Sequence, residues 1–415
     1  MCLSTELNYL DRQALSVLAQ TIKQDLQITS LEYAHITGAF LLTYTVMYGV
    51  SGRLVDTFGA RVSLAVFSCG WSAATLLHFL AGTPAQLAGC RALLGVFEPG
   101  NFPAGVRAIA EWFPMGERAL AVGFFNGGTG VGAALAAPLV SAIALQWGWR
   151  SAFLVAGSLG LVWCAAWCIF YRSPRDLVGP GVDGLGLGAG DAGRTITPAA
   201  PPYRRLLAHR RAWVCIAVRA LTDPVTYLFL FWVPLYLQQE LGLSLASIGK
   251  YSWIPYLALA IGNVAGGWAP RRLLRLGWTL DRARKLTMAV ATGLVAVSTL
   301  AITRAHGLAA AIAVISFSMF CQASWANTVL PVELLPNHWV GSVTGLAGLT
   351  GGIAGIISQQ AIGWVVQHHS FTPVFVAAVP AFPLAYLVVH RFGGRLGEVE
   401  ETPPVVARGP SRISS

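Results

Sequence analysis

Apolar residues in this chain gather in long blocks, at 122–145, 152–171, 213–237, 288–302 and 308–324 among others. A helix that crosses a bilayer needs roughly 20 mainly apolar residues. Lipid cannot satisfy free backbone groups, so the helix is the default spanning element. A β-barrel would show short alternating strands, and the pattern has none. Twelve spans are predicted, near 1–21, 33–53, 62–81, 84–106, 119–144, 150–171, 212–238, 246–269, 286–304, 307–331, 340–366 and 372–392. The expected fold class is an all-α polytopic membrane protein with twelve transmembrane helices. No cleavable leader is visible at the start. Helix 1 reads as shortened, because only ten residues precede Asp11, and ten residues rise about 15 Å.

The longest break in hydrophobicity is 172–211, with glycines over 179–193 and prolines over 198–202. It reads as a cytoplasmic linker between two six-helix halves, 1–171 and 212–392, with a tail at 393–415. Composition agrees with lipid burial: 55% of the 415 residues are hydrophobic and 11% charged. Soluble domains carry about 25% charged residues. The net charge of +10 would suggest nucleic acid if it were spread evenly. It is not. Arg53, Arg61, Arg107, Arg118, Arg172 and Arg204 open a series that falls on alternate loops and takes in 21 of the 28 Lys and Arg. Only Lys23, Arg150, Lys250 and Arg304 fall on the other side. The charge is an orientation signal that places both termini in the cytoplasm, with a lipid bilayer and not nucleic acid as the partner.

Arg12, Arg91 and Arg219 remain, inside predicted spans. Ionisable groups at that depth are costly and mark pathways. Arg91 and Glu98 are seven apart and share a helix face; Asp11 and Arg12 are adjacent and point about 100° apart. One reading is a pair of ion pairs that staple helices 1 and 4 together. The other is two titrating carboxylates beside two permanent cations. Arg219 and Asp223, four apart, read first as a local pair near the cytoplasmic face. Tyr9, Tyr44, Tyr48, Asn126, Trp325, Asn327 and Ser358 are polar candidates for a cavity wall, against ordinary packing or interfacial anchoring. Tyr44 and Tyr48 lie on one helix face.

Loop residues Gly52-Arg-Leu-Val-Asp56-Thr-Phe-Gly59-Ala-Arg61 resemble the signature G-x-L-x-D-R-x-G-x-R of major facilitator transporters, with Thr57 where an arginine is usual. A weak second copy starts near Gly267, with Pro270 in place of Ser-Asp. The stretches Asn8-Tyr9-Leu10-Asp11-Arg12, Arg91 to Glu98, Glu111-Trp-Phe-Pro114 and Trp325-Ala-Asn327 together resemble the anion:cation symporter family of that superfamily, and bacterial hexuronate transporters within it. The resemblance covers nearly the whole chain. It implies a substrate site between the halves near the midplane. It also implies that Arg12 or Arg91 grips a substrate carboxylate, that Asp11 and Glu98 carry coupling protons, and that Gly52, Asp56, Gly59 and Arg61 form a gating loop. Arginine suits a carboxylate because its planar fork binds it bidentately and does not deprotonate. The partners so implied are protons and a small anion, a hexuronate or related sugar acid, taken up by a monomer in the bacterial inner membrane. Aldarates, galactonate and aromatic acids are alternative cargoes, and an efflux antiporter is a more distant alternative.

An enzyme is not expected. No nucleophile–base pair or metal-spaced histidine cluster is present, and no metal or cofactor is implied. The glycine-rich run 123–132 lacks the Gly-Lys-Ser/Thr of a phosphate loop and reads as a close helix-packing surface.

Overall fold

A computed structural model describes residues 1–113, 115–172, 203–325, 330–335 and 337–397, with a few of these, Asp56 among them, described by backbone alone. Among the described residues the secondary structure is helical throughout. Span 1 is α1 (Cys2–Val17) and, after a break at Leu18, α2 (Ala19–Asp25). Spans 2 and 3 are one long element, α3 (Ser30–Leu77). Span 4 is α4 (Pro84–Phe97), a tight turn at Glu98–Gly100, and α5 (Asn101–Trp112). Spans 5 and 6 are α6 (Met115–Trp147) and α7 (Trp149–Phe170).

The short α8 (Tyr203–Ala208) precedes span 7, α9 (Arg210–Gln239). Both begin inside the segment expected as a linker, of which 173–202 lies outside the described residues, as does 398–415 of the tail. Span 8 is α10 (Leu245–Tyr251) with α11 (Trp253–Arg275), and span 9 is α12 (Leu280–Ile302). Span 10 is α13 (Leu308–Ser324) with α14 (Leu330–Leu334), and span 11 is α15 (Asn337–His368). Span 12 is α16 (Thr372–Ala378) with α17 (Ala381–Phe392). Among the described residues these helices group into twelve units, six in each half, and seven stretches are long and apolar enough to cross a membrane by themselves.

Local rules explain the breaks. Thr29 caps α3 with a reciprocal box to Glu32, the Thr-x-x-Glu pattern of a helix start. The chain turns from span 2 into span 3 at Gly59, with φ 77 and ψ 168, a region open essentially to glycine alone. The second half turns from span 8 into span 9 at Gly277, φ 87, ten residues after the Gly267 that marks the weak second loop copy. The repeat continues further than the loop. Arg61 donates to the Cys168 carbonyl at 3.1 Å, and Glu111 accepts from the Tyr171 hydroxyl at 2.9 Å. In the second half Arg284 pairs with Glu333 at 2.8 Å. The stretch Glu333-Leu-Leu-Pro336 repeats the Glu-x-x-Pro spacing of Glu111-Trp-Phe-Pro114, with Arg107 rather than Arg61 as the ion partner of Glu111 among the described residues.

The apolar blocks differ in what they face. The most apolar stretches of Trp149–Phe170 and Thr372–Phe392 are each only 28% buried within the protein, against 56% for Arg210–Gln239. Spans 6 and 12 therefore present most of their surface to lipid, while span 7 lies inside. Spans 1 and 4 carry the charged residues and the break, and are not among the seven long apolar stretches.

The halves join at the face opposite the basic loops, termed the remote face. Tyr33 donates to the Phe231 carbonyl at 2.9 Å. Thr37 donates to Gln359 at 3.2 Å, and Gln238 to the Val17 carbonyl at 3.2 Å. Gln360 reaches the Ala34 carbonyl at 3.2 Å, and Gln239 reaches Gln20 at 3.0 Å. Tyr33 also packs edge-on against Trp232 at 5.1 Å. Close backbone approach supports the central bundle, as expected for the glycine-rich run. A side chain at Gly132 would strike the Glu6 backbone, and one at Gly130 would strike Ala260 of span 8.

Asp25 closes the remote end of the first half. It accepts from the Trp149 indole at 3.0 Å and from Arg150 at 2.9 Å. These two donors hold its carboxyl below the usual carboxylate range. A depressed carboxylate stabilises the fold above its unfolded pKa and loses that effect as pH falls through the folded value. Asp25→Asn should therefore lower thermal stability in detergent at neutral pH, and the gap from wild type should close as pH falls below about 4. A gap that is constant across pH would show that the clip is not ionic.

Candidate functional site

Arg12 and Asp11, adjacent on span 1, leave it in two directions. Arg12 leaves α1 toward the turn in span 4. Its Nε donates to Glu98 Oε2 at 2.9 Å and its Nη2 to the same oxygen at 2.5 Å. Glu98 is fully buried and Arg12 is 5% exposed. Pro99 explains why Glu98 is so placed. Proline cannot continue the helical hydrogen bonding, so α4 ends and Glu98 heads a tight turn that faces α1. Gly95 and Gly100 allow the turn to seat, because a side chain at either would strike Phe40 and Thr43, or Phe67.

Aromatic rings enclose the Arg12 guanidinium. Its centre lies 4.7 Å from the Tyr9 ring, 4.7 Å from Tyr44 and 5.3 Å from Phe40. Each such contact is worth roughly 0.5–2 kcal/mol, more where water is excluded. The chain of rings continues across the halves. Tyr44 stacks on Tyr48 at 6.1 Å, Phe40 meets Phe231 at 6.2 Å, and Phe231 stacks on Tyr227 at 5.9 Å. Tyr48 and Tyr227 both lie in the field of Arg219 and Asp223. Arg219 donates to Asp223 at 2.7 Å. A side chain at Gly351 of span 11 would strike Asp223. The local i,i+4 pair expected near the cytoplasmic face is therefore formed, and it is also part of the same interior, with Asp223 6% exposed.

Asp11 and Arg91 take another direction. Arg91 is 2% exposed. Its Nη1 donates to the Arg12 carbonyl at 3.4 Å, while Nε and Nη2 lack a partner. Both Asp11 carboxylate oxygens also lack a hydrogen-bond partner. Thus one ion pair, Arg12–Glu98, staples spans 1 and 4, and Arg91 and Asp11 supply unengaged groups behind it. Asn8, Gln13 and Ser16 add further buried polar atoms without partners. A buried group left in this state costs about 1–3 kcal/mol, and such groups call for water, an ion or a substrate.

The remaining candidates divide. Asn126 is exposed and lies one turn from Gly130, which abuts span 8 across the seam. Trp325 turns away from the seam. It is fully buried, donates to Thr292 at 2.8 Å and packs edge-on against Phe382, so it is a core residue of the second half. Ser358 is half-buried, and its hydroxyl donates to the Gly355 carbonyl of its own helix at 2.7 Å. Its neighbour Gln359 occupies the seam instead, accepting from Trp232 at 2.7 Å. Asn327 lies outside the described residues, and the Asp56 side chain is not described. Among the loop residues, Gly52 continues the helix into the Gly59 turn. Thr57, in place of the usual arginine, donates to the Arg53 carbonyl at 2.9 Å, and Arg107 donates to the Val55 carbonyl at 2.9 Å.

Sequence reasoning missed Gln359, Trp232, Tyr33 and Tyr227, and gave Asn101 no role. Asn101 links span 4 to span 1 through Ser4 and Thr5 at 2.9 and 3.1 Å. A signal existed in span 1, where Ser4, Thr5, Asn8, Asp11, Arg12 and Ser16 recur at helical spacing.

Twelve crossing helices in two halves, with buried charges and tyrosines between them, define a multi-pass membrane transporter. The chain belongs to the Major Facilitator Superfamily, which it matches over residues 1–359. It is 29% identical over 392 residues to the hexuronate transporter of Escherichia coli K12, covering 93% of this chain and 91% of that one. It is 30% identical over 398 residues to the D-galactonate transporter of Escherichia coli O6:H1, covering 92% of each. It is 33% identical over 280 residues to the galacturonate transporter of Dickeya chrysanthemi, covering 65% and 79%. The crystal structure of a bacterial homolog of the human lysosomal transporter Spinster, inward-facing and occupied, superposes with a TM-score of 0.71 at 16% identity, over 94% of this chain and 93% of that one.

Removing one partner of a buried ion pair strands a charge, whereas removing both charges does not. Arg12→Met should therefore lower unfolding stability by about 3–5 kcal/mol. Adding Glu98→Gln to it should recover most of that loss. Additive losses in the double variant, measured by thermal unfolding in one detergent, would mean that the two side chains are not energetically coupled.

Proposed function

We propose that this chain is a proton-coupled symporter that imports a sugar acid, a hexuronate foremost, across the bacterial inner membrane by alternating access. Both termini lie in the cytoplasm and a single chain is the working unit. The observation that carries this reading is the buried Arg12–Glu98 pair, capped by Tyr9 and Tyr44 on the seam between the halves. An ionised Glu98 occupies the fork that a substrate carboxylate needs. A proton on Glu98 frees Arg12, and the substrate carboxylate takes the vacated place bidentately. The tyrosine rings then offer flat faces to sugar C–H surfaces, and their hydroxyls, with Asn126, suit a polyhydroxylated chain.

Release runs the same exchange backwards. When Glu98 loses its proton toward the cytoplasm, it reclaims Arg12 and expels the anion. The empty carrier then reorients with its charges paired, which avoids stranding an ion in the membrane interior. Asp11 is a second proton site, with Arg91 as its neighbouring cation. The belt of hydrogen bonds at the remote face supports an inward-facing state, closed toward the periplasm. One further observation favours a second cargo. Arg219 lies across the seam from Arg12, so a six-carbon diacid (an aldarate) could bridge two guanidinium groups.

The test separates binding from coupling. Glu98→Gln keeps shape and hydrogen bonding but cannot ionise. Proteoliposomes carrying it should retain glucuronate counterflow and lose uphill uptake driven by a pH gradient. Intact gradient-driven accumulation would remove Glu98 from the mechanism. Arg12→Lys keeps the charge without the fork and should weaken binding about tenfold or more, the loss of a bidentate charged contact.

A further inference from the structure

Behind the Arg12–Glu98 pair, away from the seam between the halves, spans 1, 3 and 4 enclose a second polar region. Span 3 contributes Trp71, Thr75 and His78, which share one helix face at spacings of four and three. All three are fully buried. The Trp71 Nε1, Thr75 Oγ1 and His78 Nε2 atoms have no partner. Thr75 lies beside the Asp11 carboxylate, and Asp11 and His78 both lie in the field of Arg91. His78 is held in one orientation. Its Nδ1 lies 2.8 Å from the Ala74 carbonyl, so Nδ1 carries the proton and Nε2 presents a lone pair. Its ring stacks on Phe153 of span 6 at 4.8 Å. Leu80, two residues further, is 72% exposed, so His78 lies within one turn of the remote end of span 3.

We infer that this three-helix region is a hydrated proton route, separate from the substrate path, that runs from the remote face past His78 and Thr75 to Asp11. The inference rests on the proton-coupled reading above and adds the entry path of the proton. The donors and acceptors alternate along it: the His78 Nε2 lone pair, the Thr75 hydroxyl, the Asp11 carboxylate. These buried atoms lack a hydrogen-bond partner in the protein, and a buried water typically joins about three such groups. The charged and titratable groups facing His78 are few. Span 4 supplies Arg91, span 1 supplies Asp11 by way of Thr75, and span 6 supplies the uncharged Phe153 and, at the remote end, Arg150, which donates to the Ala81 carbonyl at 3.3 Å and pairs with Asp25. A cation other than a proton is disfavoured beside Arg91. A proton passed along waters needs no net movement of a cation past that guanidinium.

The experiment compares two rates on the same proteoliposomes, glucuronate counterflow and glucuronate uptake driven by an inward proton gradient. His78→Phe keeps the stack on Phe153 and removes the Nε2 acceptor. Counterflow should stay within about twofold, while gradient-driven uptake near neutral external pH should fall about tenfold or more, the scale of a lost proton-transfer group. Acidifying the outside should restore the rate, so the external pH profile moves to lower pH. His78→Gln returns an acceptor near the Nε2 position and should rescue uptake. Thr75→Val, nearly isosteric, should show the same split as His78→Phe and serves if that variant does not fold. A parallel fall of both rates, or no change in either, in a folded His78→Phe or Thr75→Val variant overturns the route. A wild-type protein whose uptake ignores the pH gradient overturns the coupling itself, and the route with it.

Discussion

A guanidinium and a carboxylate buried at membrane depth stay charged only in each other's company, and the first half of this protein is arranged around one such pair. Arg12 and Glu98 meet at 2.9 Å with Glu98 fully buried. Desolvating either ion alone would cost several kcal/mol. Bringing them together requires span 4 to bend at Pro99 and span 1 to lie close. Gly95 and Gly100 admit the bend, and Gly128 and Gly132 of span 5 admit α1 at backbone distance. The tyrosines around Arg12 then extend the charged centre across the seam to Arg219 and Asp223.

The same arrangement gives the two halves unequal tasks. The first half holds the Arg12–Glu98 pair, the residues Arg91 and Asp11, and the polar region toward span 3. The second half supplies a wall: Tyr227, Arg219 and Asp223 toward the centre, and Trp232 and Gln359 toward the closed end. The closed end is a set of individually modest hydrogen bonds and one edge-on aromatic contact. Each such bond is worth about 0.5–1.5 kcal/mol net. A belt of that kind can be broken and remade in a transport cycle, as a single large apolar interface could not.

Much of this was legible in the chain. The apolar blocks announce twelve spans because lipid imposes a length that soluble folds do not. Arg12, Arg91, Asp11 and Glu98 stand out because charge inside a span is rare. Their geometry was less legible. Adjacency put Asp11 and Arg12 on different sides of one helix, but only the fold shows that Arg12 takes the carboxylate while Asp11 faces Thr75. The break at Glu98-Pro99-Gly100 was written in the sequence as a proline and a glycine in succession. Reading Arg91 and Glu98 as points on one unbroken helix overlooked it. Trp325 and Ser358 were ambiguous in the chain for a different reason. A polar or aromatic residue in an apolar helix is equally compatible with the cavity and the core, and position around the helix decides. One residue further along, Gln359 faces the seam, while Ser358 bonds its own backbone.

At the centre stands the claim that one arginine fork is shared in turn by a protein carboxylate and a substrate carboxylate, with a proton as the token of exchange. It is tested most directly by entrapping a pH-sensitive dye in proteoliposomes of the wild-type protein and adding glucuronate outside with no imposed gradient. Lumenal acidification that rises with the labelled glucuronate taken up, and that stops with saturation, is the predicted result. Glucuronate entry without acidification would contradict carboxylate exchange at Arg12.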